Sequence, residues 1–400
     1  MLAFFKSIIS FSRRGFFRKT PTPLADRLLA DALRLAEIPS PTPMETKRTA
    51  FVAERLISLG LSPEFSPSGS LYVRLPAAAS PASAGPAPSA ASPGRAPLLL
   101  FTSLISNRWH PTQSLSRLDP VNACGAGLAD SLGAAALIAA AESFCAGRIK
   151  SGRDLSLLFA AQSLDDPENQ FRLLTGNPQH RPFAAIGVRG LSLGRVIHFR
   201  GFCRMRIQVG GAGDSAGSGP GAKGNGAAVA EALVNTARDL QGVRWNGEGK
   251  VRFYLRRIEA AAVNGRSPDE GFLECDLESP DRGLLDMAMN AVKATAKKNG
   301  EAFGVSITVE LLSFIPPGEQ KHCDSLLEIL KAEMKKRRIK IREEEGPDPA
   351  SLFSAEGIPS LSLGLAEGTQ GADQDCINIG SVEKGRLLLE GLIAGLGAMP

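Results

Sequence analysis

The chain has 400 residues, 43% hydrophobic and 22% charged, with 6% aromatic. That length exceeds one ordinary core, so two domains are expected, and the composition is that of a folded globular protein rather than a disordered or fibrous one. The net charge of +5 matches the five bases Lys6, Arg13, Arg14, Arg18 and Lys19, so the body of the chain is neutral in sum, which argues against a broad nucleic-acid footprint.

In residues 1–20, Phe4, Phe5, Ile8, Ile9, Phe11, Phe16 and Phe17 alternate with those bases. One reading is a basic amphipathic leader making peripheral contact with an anionic membrane surface through residues 1–19. The other is a frayed leader or an extra helix on the body. Lys6 and Ser7 interrupt the apolar stretch, which makes it a poor secretory signal. No run approaches the ~20 apolar residues of a membrane-spanning helix.

Residues 24–36 and 46–59 carry helical apolar spacing and are separated by Pro39, Pro41 and Pro43 as a rigid linker. Residues 71–75 read as a short strand. Residues 76–97 are almost entirely Ala, Ser, Pro and Gly, which bury too little apolar surface to offset ordering entropy, so a disordered loop is expected. Strands at 98–104, 155–161 and 184–188 then alternate with a helix at 130–144, the pattern of an α/β sheet covered on both faces.

The pattern changes near Arg200. Residues 203–209 alternate with period two, as a half-exposed antiparallel strand does. A glycine-rich turn over 210–219 follows, without the spacing of a phosphate-binding loop, because Lys223 comes too late. Helices at 224–240 and 284–298 and strands at 251–258 and 271–277 complete an inserted α+β unit. Residues 305–312 lead back, and 324–337 (helix), 358–363 (strand) and 382–396 (helix) finish the first domain. The bases Lys335, Lys336, Arg337 and Arg338 suit a helix C-terminus. The expected organisation is a leader at 1–20, a first domain at 21–198 and 308–400, and a lid at 199–307.

Six scattered cysteines (Cys124, Cys145, Cys203, Cys275, Cys323 and Cys376) form no C-x-x-C pair and read as reduced thiols of a cytoplasmic protein. Cys124 and Cys376 read as small buried fillers. His110, His180, His198 and His322 read as surface or satisfied core residues. Asp165 and Asp166, ahead of Pro167 and Glu168, read as helix caps. The sharper alternative gathers Cys124, Asp130, Asp165, Asp166, Asp375 and Cys376 into a rebuilt catalytic cleft.

Several segments in order resemble the zinc-dependent amidohydrolases and metallopeptidases, the family of aminoacylase, acetylornithine deacetylase, glutamate carboxypeptidase and peptidase T. Ala36-Glu37-Ile38-Pro39-Ser40-Pro41-Thr42 is similar to the I-P-S-P-T opening. Gly125-Ala126-Gly127-Leu128-Ala129-Asp130-Ser131-Leu132-Gly133 is similar to the G-x-G-x-x-D-x-x-G turn into a helix. Arg189-Gly190-Leu191-Ser192-Leu193-Gly194 resembles the exit into the lid, and Gly357-Ile358-Pro359-Ser360-Leu361-Ser362-Leu363-Gly364 the late G-I-P-x-x-x-L-G strand. The resemblance covers roughly residues 24–400. It implies a mixed sheet flanked by helices with an inserted α+β lid, two zinc ions about a bridging aspartate, hydrolysis of amide bonds, and a homodimer paired through the lid.

By the same resemblance the chemistry is missing. Ser103 stands at the first histidine and Ile105 at the neighbouring aspartate, Ser163 at the general base, Leu164 at the next ligand, Arg189 at the acid before the lid, and Gly371 at the last histidine. Only Asp130, the bridging aspartate, is kept, and one carboxylate does not hold two dications. No cofactor is therefore expected. A guanidinium cannot ligate a metal, and Arg189 is expected to pair with Asp130 in its place. The lid histidine falls on Asp214 or Ser215. Asp130, Arg189, Ser215, Asn264 and Asp375 are candidate contacts for a peptide-like or acylamino ligand. Three functions stay open: a non-catalytic homologue that binds, assembles or regulates; a metallohydrolase rebuilt around Asp130; and a membrane-peripheral interaction protein.

Overall fold

The structure, a computed structural model, describes residues 23–41, 43–77, 95–106, 116–161, 174, 181–210, 225–243, 245, 250–260, 270–319, 322–371 and 374–399. The basic leader, most of the Ala/Ser/Pro/Gly stretch and the glycine-rich turn after Gly210 lie outside them. In chain order the elements are α1 (Pro23–Ala36), α2 (Thr46–Ser58), β1 (Glu64–Phe65), β2 (Leu71–Leu75), β3 (Leu98–Ser103), β4 (Arg117–Leu118), β5 (Asn122–Gly125), α3 (Leu128–Cys145), β6 (Leu155–Ala160), β7 (Ala184–Leu191) and β8 (Arg195–Gly210). There follow α4 (Asn225–Gly242), β9 (Arg252–Ala260), β10 (Glu270–Ser279), α5 (Arg282–Phe303), β11 (Ser306–Ile315), α6 (Asp324–Lys336), β12 (Arg342–Pro347), α7 (Ala350–Ala355), β13 (Ser360–Ala366), β14 (Gly368–Gln370), β15 (Asp375–Asn378) and α8 (Ile379–Gly397).

The main sheet has the order β1-β2-β6-β3-β7-β13. Strands β6, β3, β7 and β13 run parallel, β2 joins antiparallel to β6, and the two-residue β1 closes that edge antiparallel to β2. Parallel strands are buried on both faces, which is why β3 and β6 are mostly apolar and, Ser103 apart, buried at every position. Helix α3 is apolar all round, long and apolar enough by composition to cross a membrane, contrary to the sequence expectation. Its surfaces are taken up by protein: it packs against α1, β7 and β3 and is buried along most of its length.

The second core belongs to another sheet, β11-β8-β10-β9, antiparallel throughout. Cys203, Met205, Ile207 and Val209 of β8 and Leu273, Cys275 and Leu277 of β10 point into it, together with Val229 and Leu233 of α4 and Leu285 and Val292 of α5. The period-two pattern after Arg200 is this strand's buried face. Two borders differ from expectation. Strand β8 begins at Arg195 and pairs first with β12 and then with β10 and β11, so one strand serves both parts. Strand β11 stays on β8 as far as Ile315, so the return to the first core comes after it rather than at residue 308.

A small sheet, β14-β15-β5-β4, was not anticipated. Its strands are two to four residues long, too short for a periodic signal. It sets Cys376 directly opposite Cys124, and the two form a disulfide. The expectation of six reduced thiols and of two buried fillers is thereby corrected for this pair: 252 residues separate the two cysteines in sequence, and strand pairing alone brings them together.

Candidate functional site

In a parallel sheet, ligand sites collect beyond the carboxyl ends of the strands. Ser103 ends β3, and its hydroxyl accepts the N–H of Ile105 at 3.1 Å. Ile105 is buried. The turn Gly125-Ala126-Gly127 then leads into α3, whose first turn carries Asp130. Gly127 has φ +67°, and a Cβ there would lie 2.3 Å from Ser106 Oγ and 3.5 Å from Arg48 Nη2, so only glycine lets the turn approach β3 this closely.

Arg48 is the residue that sequence reasoning missed. It is 1% exposed, yet it carries a guanidinium. Nε donates to the carbonyl of Ile38 at 3.0 Å and Nη1 to the carbonyl of Leu104 at 3.3 Å. Burial pushes its pKa down to about 10, and the charge of Asp130 acts in the opposite direction. It therefore stays protonated at neutral pH, a permanent cation within electrostatic range of the kept aspartate. A signal existed: Arg48, Val52 and Leu56 fall four residues apart on one helical face, and Val52 and Leu56 are fully buried.

Arg189 does not take the role expected of it. Its Nη2 lies 3.1 Å from Asp348 Oδ2, so its partner is Asp348 and not Asp130. Strand alternation is the reason. Gly190 faces α3, where an added Cβ would stand 1.8 Å from the Ala129 carbonyl oxygen. The neighbouring Arg189 consequently points to the other side of the sheet. Asp348 is fully buried and also accepts from the Ala350 N–H at 2.8 Å and the Ser362 hydroxyl at 2.6 Å.

Asp375 is fully buried opposite Gly125, and its Oδ2 accepts the Ala129 N–H at 3.0 Å. It caps the N-terminus of α3, where an anion complements the exposed N–H groups and the helix dipole. Gly371 has no side chain, and its N–H bonds to the Gln374 carbonyl. His198 pairs with Glu343 at 3.1 Å and His322 contacts the Ser354 carbonyl at 3.3 Å. Ser163, Leu164, Asp165, Asp166, Asp214, Ser215, Asn264, His110 and His180 lie outside the described residues.

The residues in place do not fit a pair of zinc ions. Of the described residues that the family resemblance puts at ligand positions, Ser103, Arg189 and Gly371 offer no strong donor, and the buried Arg48 charge that acts on Asp130 electrostatically disfavours a dication there. Cys124 and Cys376, the cysteines nearest the turn, are committed to each other. Among the described residues no group of three or more His, Cys, Asp or Glu side chains could hold a metal ion.

No protein-family model matches the sequence, and no curated protein does. Solved structures do. A tripeptidase from Staphylococcus aureus superposes with a TM-score of 0.66 at 14% identity, covering 94% of this chain and 99% of that one. A dinuclear metal-binding peptidase of the M20 family from Bacillus subtilis gives 0.61 at 12% identity, over 93% and 98%. A hydantoinase/carbamoylase-family amidase from Burkholderia vietnamiensis gives 0.64 at 11% identity, over 95% and 100%. At such identities the likeness concerns architecture, and over nearly its whole length the chain has the fold of these metallopeptidases and amidohydrolases.

Proposed function

We propose that this chain is a catalytically degenerate homologue of the zinc peptidases and amidohydrolases that acts by binding, assembly or regulation instead of hydrolysis. The observation that supports this most is Arg48: a buried guanidinium supplies, within electrostatic range of Asp130, a charge of the sign that a metal would bring. A positive charge fixed in the protein balances the carboxylate but offers no open coordination position and no activated water. The old cleft then serves to bind a peptide-like or acylamino ligand, and the lid to pair two copies of the chain.

The test is metal stoichiometry by elemental mass spectrometry after exposure to zinc and removal of the excess, run beside peptidase and N-acyl amino acid hydrolysis assays. Expected are well under one ion per chain and no turnover above buffer. Tightly held zinc with turnover would overturn the proposal in favour of a hydrolase rebuilt around Asp130.

A further inference from the structure

Cys124 and Cys376 sit opposite one another on β5 and β15 and are joined. Both are half-buried, whereas Ala123, Gly125, Asp375 and Ile377 beside them are buried, so the bond lies on the outer face of the small sheet. Cys124 also lines a surface hollow of about 310 Å³ with Arg117, Leu118, Asp119 and Gln374. A small thiol reaches the sulfur there without the fold opening. Arg117 is the register partner of Cys124 on its other side, and its positive charge attracts an incoming thiolate toward the Cys124 sulfur. Asp119 in the same hollow offsets part of that charge. Access to the attacked sulfur and local attraction of the thiolate both speed thiol–disulfide exchange.

The bond also holds something in place. β5 and β15 pair over four residues, Asn122–Gly125 against Asp375–Asn378. Asp375, next to Cys376, is the carboxylate that caps α3 through the Ala129 N–H. Gly125 to Gly127, following Cys124, form the turn into α3 and Asp130. Without the cross-link, β5 and β15 are held by this short ladder and by the burial of Ala123 and Ile377, and short ladders open locally at lower cost than long ones.

We infer that Cys124–Cys376 is a reversible redox site that orders the turn at residues 125–130 when oxidised and releases it when a dithiol reduces it. The thiolate of the dithiol attacks Cys124 Sγ from the hollow, the S–S bond breaks, and Cys376 leaves as thiolate and takes a proton. The second thiol of the reductant then displaces Cys124 from the mixed disulfide. Two electrons and two protons pass to the protein, and the dithiol ends as a disulfide. The remaining cysteines are unpaired: Cys203, Cys275 and Cys323 are buried, and Cys145 is exposed. The inference holds whether or not the cleft hydrolyses anything.

The experiment uses the full chain under native conditions at neutral pH, titrated with mixtures of reduced and oxidised dithiothreitol. Samples are quenched, alkylated and mapped by peptide mass spectrometry, with hydrogen exchange measured in parallel. Cys124 and Cys376 are expected to become alkylated together. Exchange in peptides covering residues 125–132 is expected to speed up about tenfold and to slow again on reoxidation, while residues 203–209 stay unchanged. The doubly substituted C124S/C376S chain should show the reduced pattern without reductant. Alkylation of both cysteines before any reductant is added, a bond that withstands excess dithiothreitol until denaturant is added, or reduction with no change in exchange would each overturn the inference.

Discussion

Replacing Arg48 by methionine keeps most of the apolar length of the side chain and removes its guanidinium. Three interactions go with it. The Ile38 carbonyl loses a donor at 3.0 Å, but Ile38 is half-buried, so water replaces part of that bond. Its loss costs roughly 1 kcal/mol. The Leu104 carbonyl loses a longer bond of 3.3 Å but keeps the Ser40 hydroxyl at 3.1 Å, so its share is small. Asp130 loses a cation within electrostatic range; it is half-buried, so solvent screens part of that loss. Against these stands the relief of a buried charge whose own desolvation is the largest influence on its pKa. The net expectation is a loss of about 1–2 kcal/mol, below the ~3–5 kcal/mol of a fully buried broken pair. Urea denaturation at neutral pH reads it, with transitions fitted separately because two cores need not unfold together. Adding Asp130→Asn to the Arg48→Met chain should recover about 0.5–1 kcal/mol by removing the carboxylate on which the guanidinium charge had acted. An Arg48→Met chain within about 0.5 kcal/mol of the parent, or a double variant no better than the single one, would refute the view that this guanidinium stands in for a metal charge.

Asp375→Asn keeps the shape of the α3 cap but removes its charge, and should cost about 1 kcal/mol in urea, within the usual range of helix caps; an unchanged midpoint would mean that Asp375 contributes nothing to α3. Gly190→Ala sets a methyl against the Ala129 carbonyl and should destabilise by at least about 1–3 kcal/mol, lowering the thermal midpoint, whereas full retention would show that β7 and α3 are less closely apposed than described. Cys203 and Cys275 are pushed up to about 12, Cys203 by burial and then by Cys275 and Asp276, and Cys275 by burial and then by Asp276. Because these folded values lie above the ordinary thiol value of 9.0, their contribution to lid stability is whole below about pH 9 and is lost as pH rises toward about 12. Iodoacetamide at pH ~9 should therefore label exposed Cys145 quickly and these two only in denaturant; equal labelling rates in the folded chain would contradict their burial.

Much of the architecture was legible because it rests on neighbours in sequence. Period two in residues 203–209 and mostly apolar runs at 98–103 and 155–160 are local signals, and each became the strand expected. The glycine turn before Asp130 also carried its own signature, since a positive φ and a close approach to Ser106 permit no other residue at Gly127. Arg48 was readable in principle as a charge on the buried stripe of α2. Strands β5 and β15, of four residues each, were too short to read.

The amino-acid sequence alone determined the order and type of the long elements, because apolar period requires no knowledge of what lies across the fold. The tertiary structure decided the partners. Arg189 meets Asp348 rather than Asp130 because Gly190, one residue on, faces α3 and turns Arg189 away. Asp375 reaches Ala129 across 246 residues, and Cys124 reaches Cys376 across 252. Contacts at such separations follow from which strands lie side by side, and no local pattern in the chain encodes that.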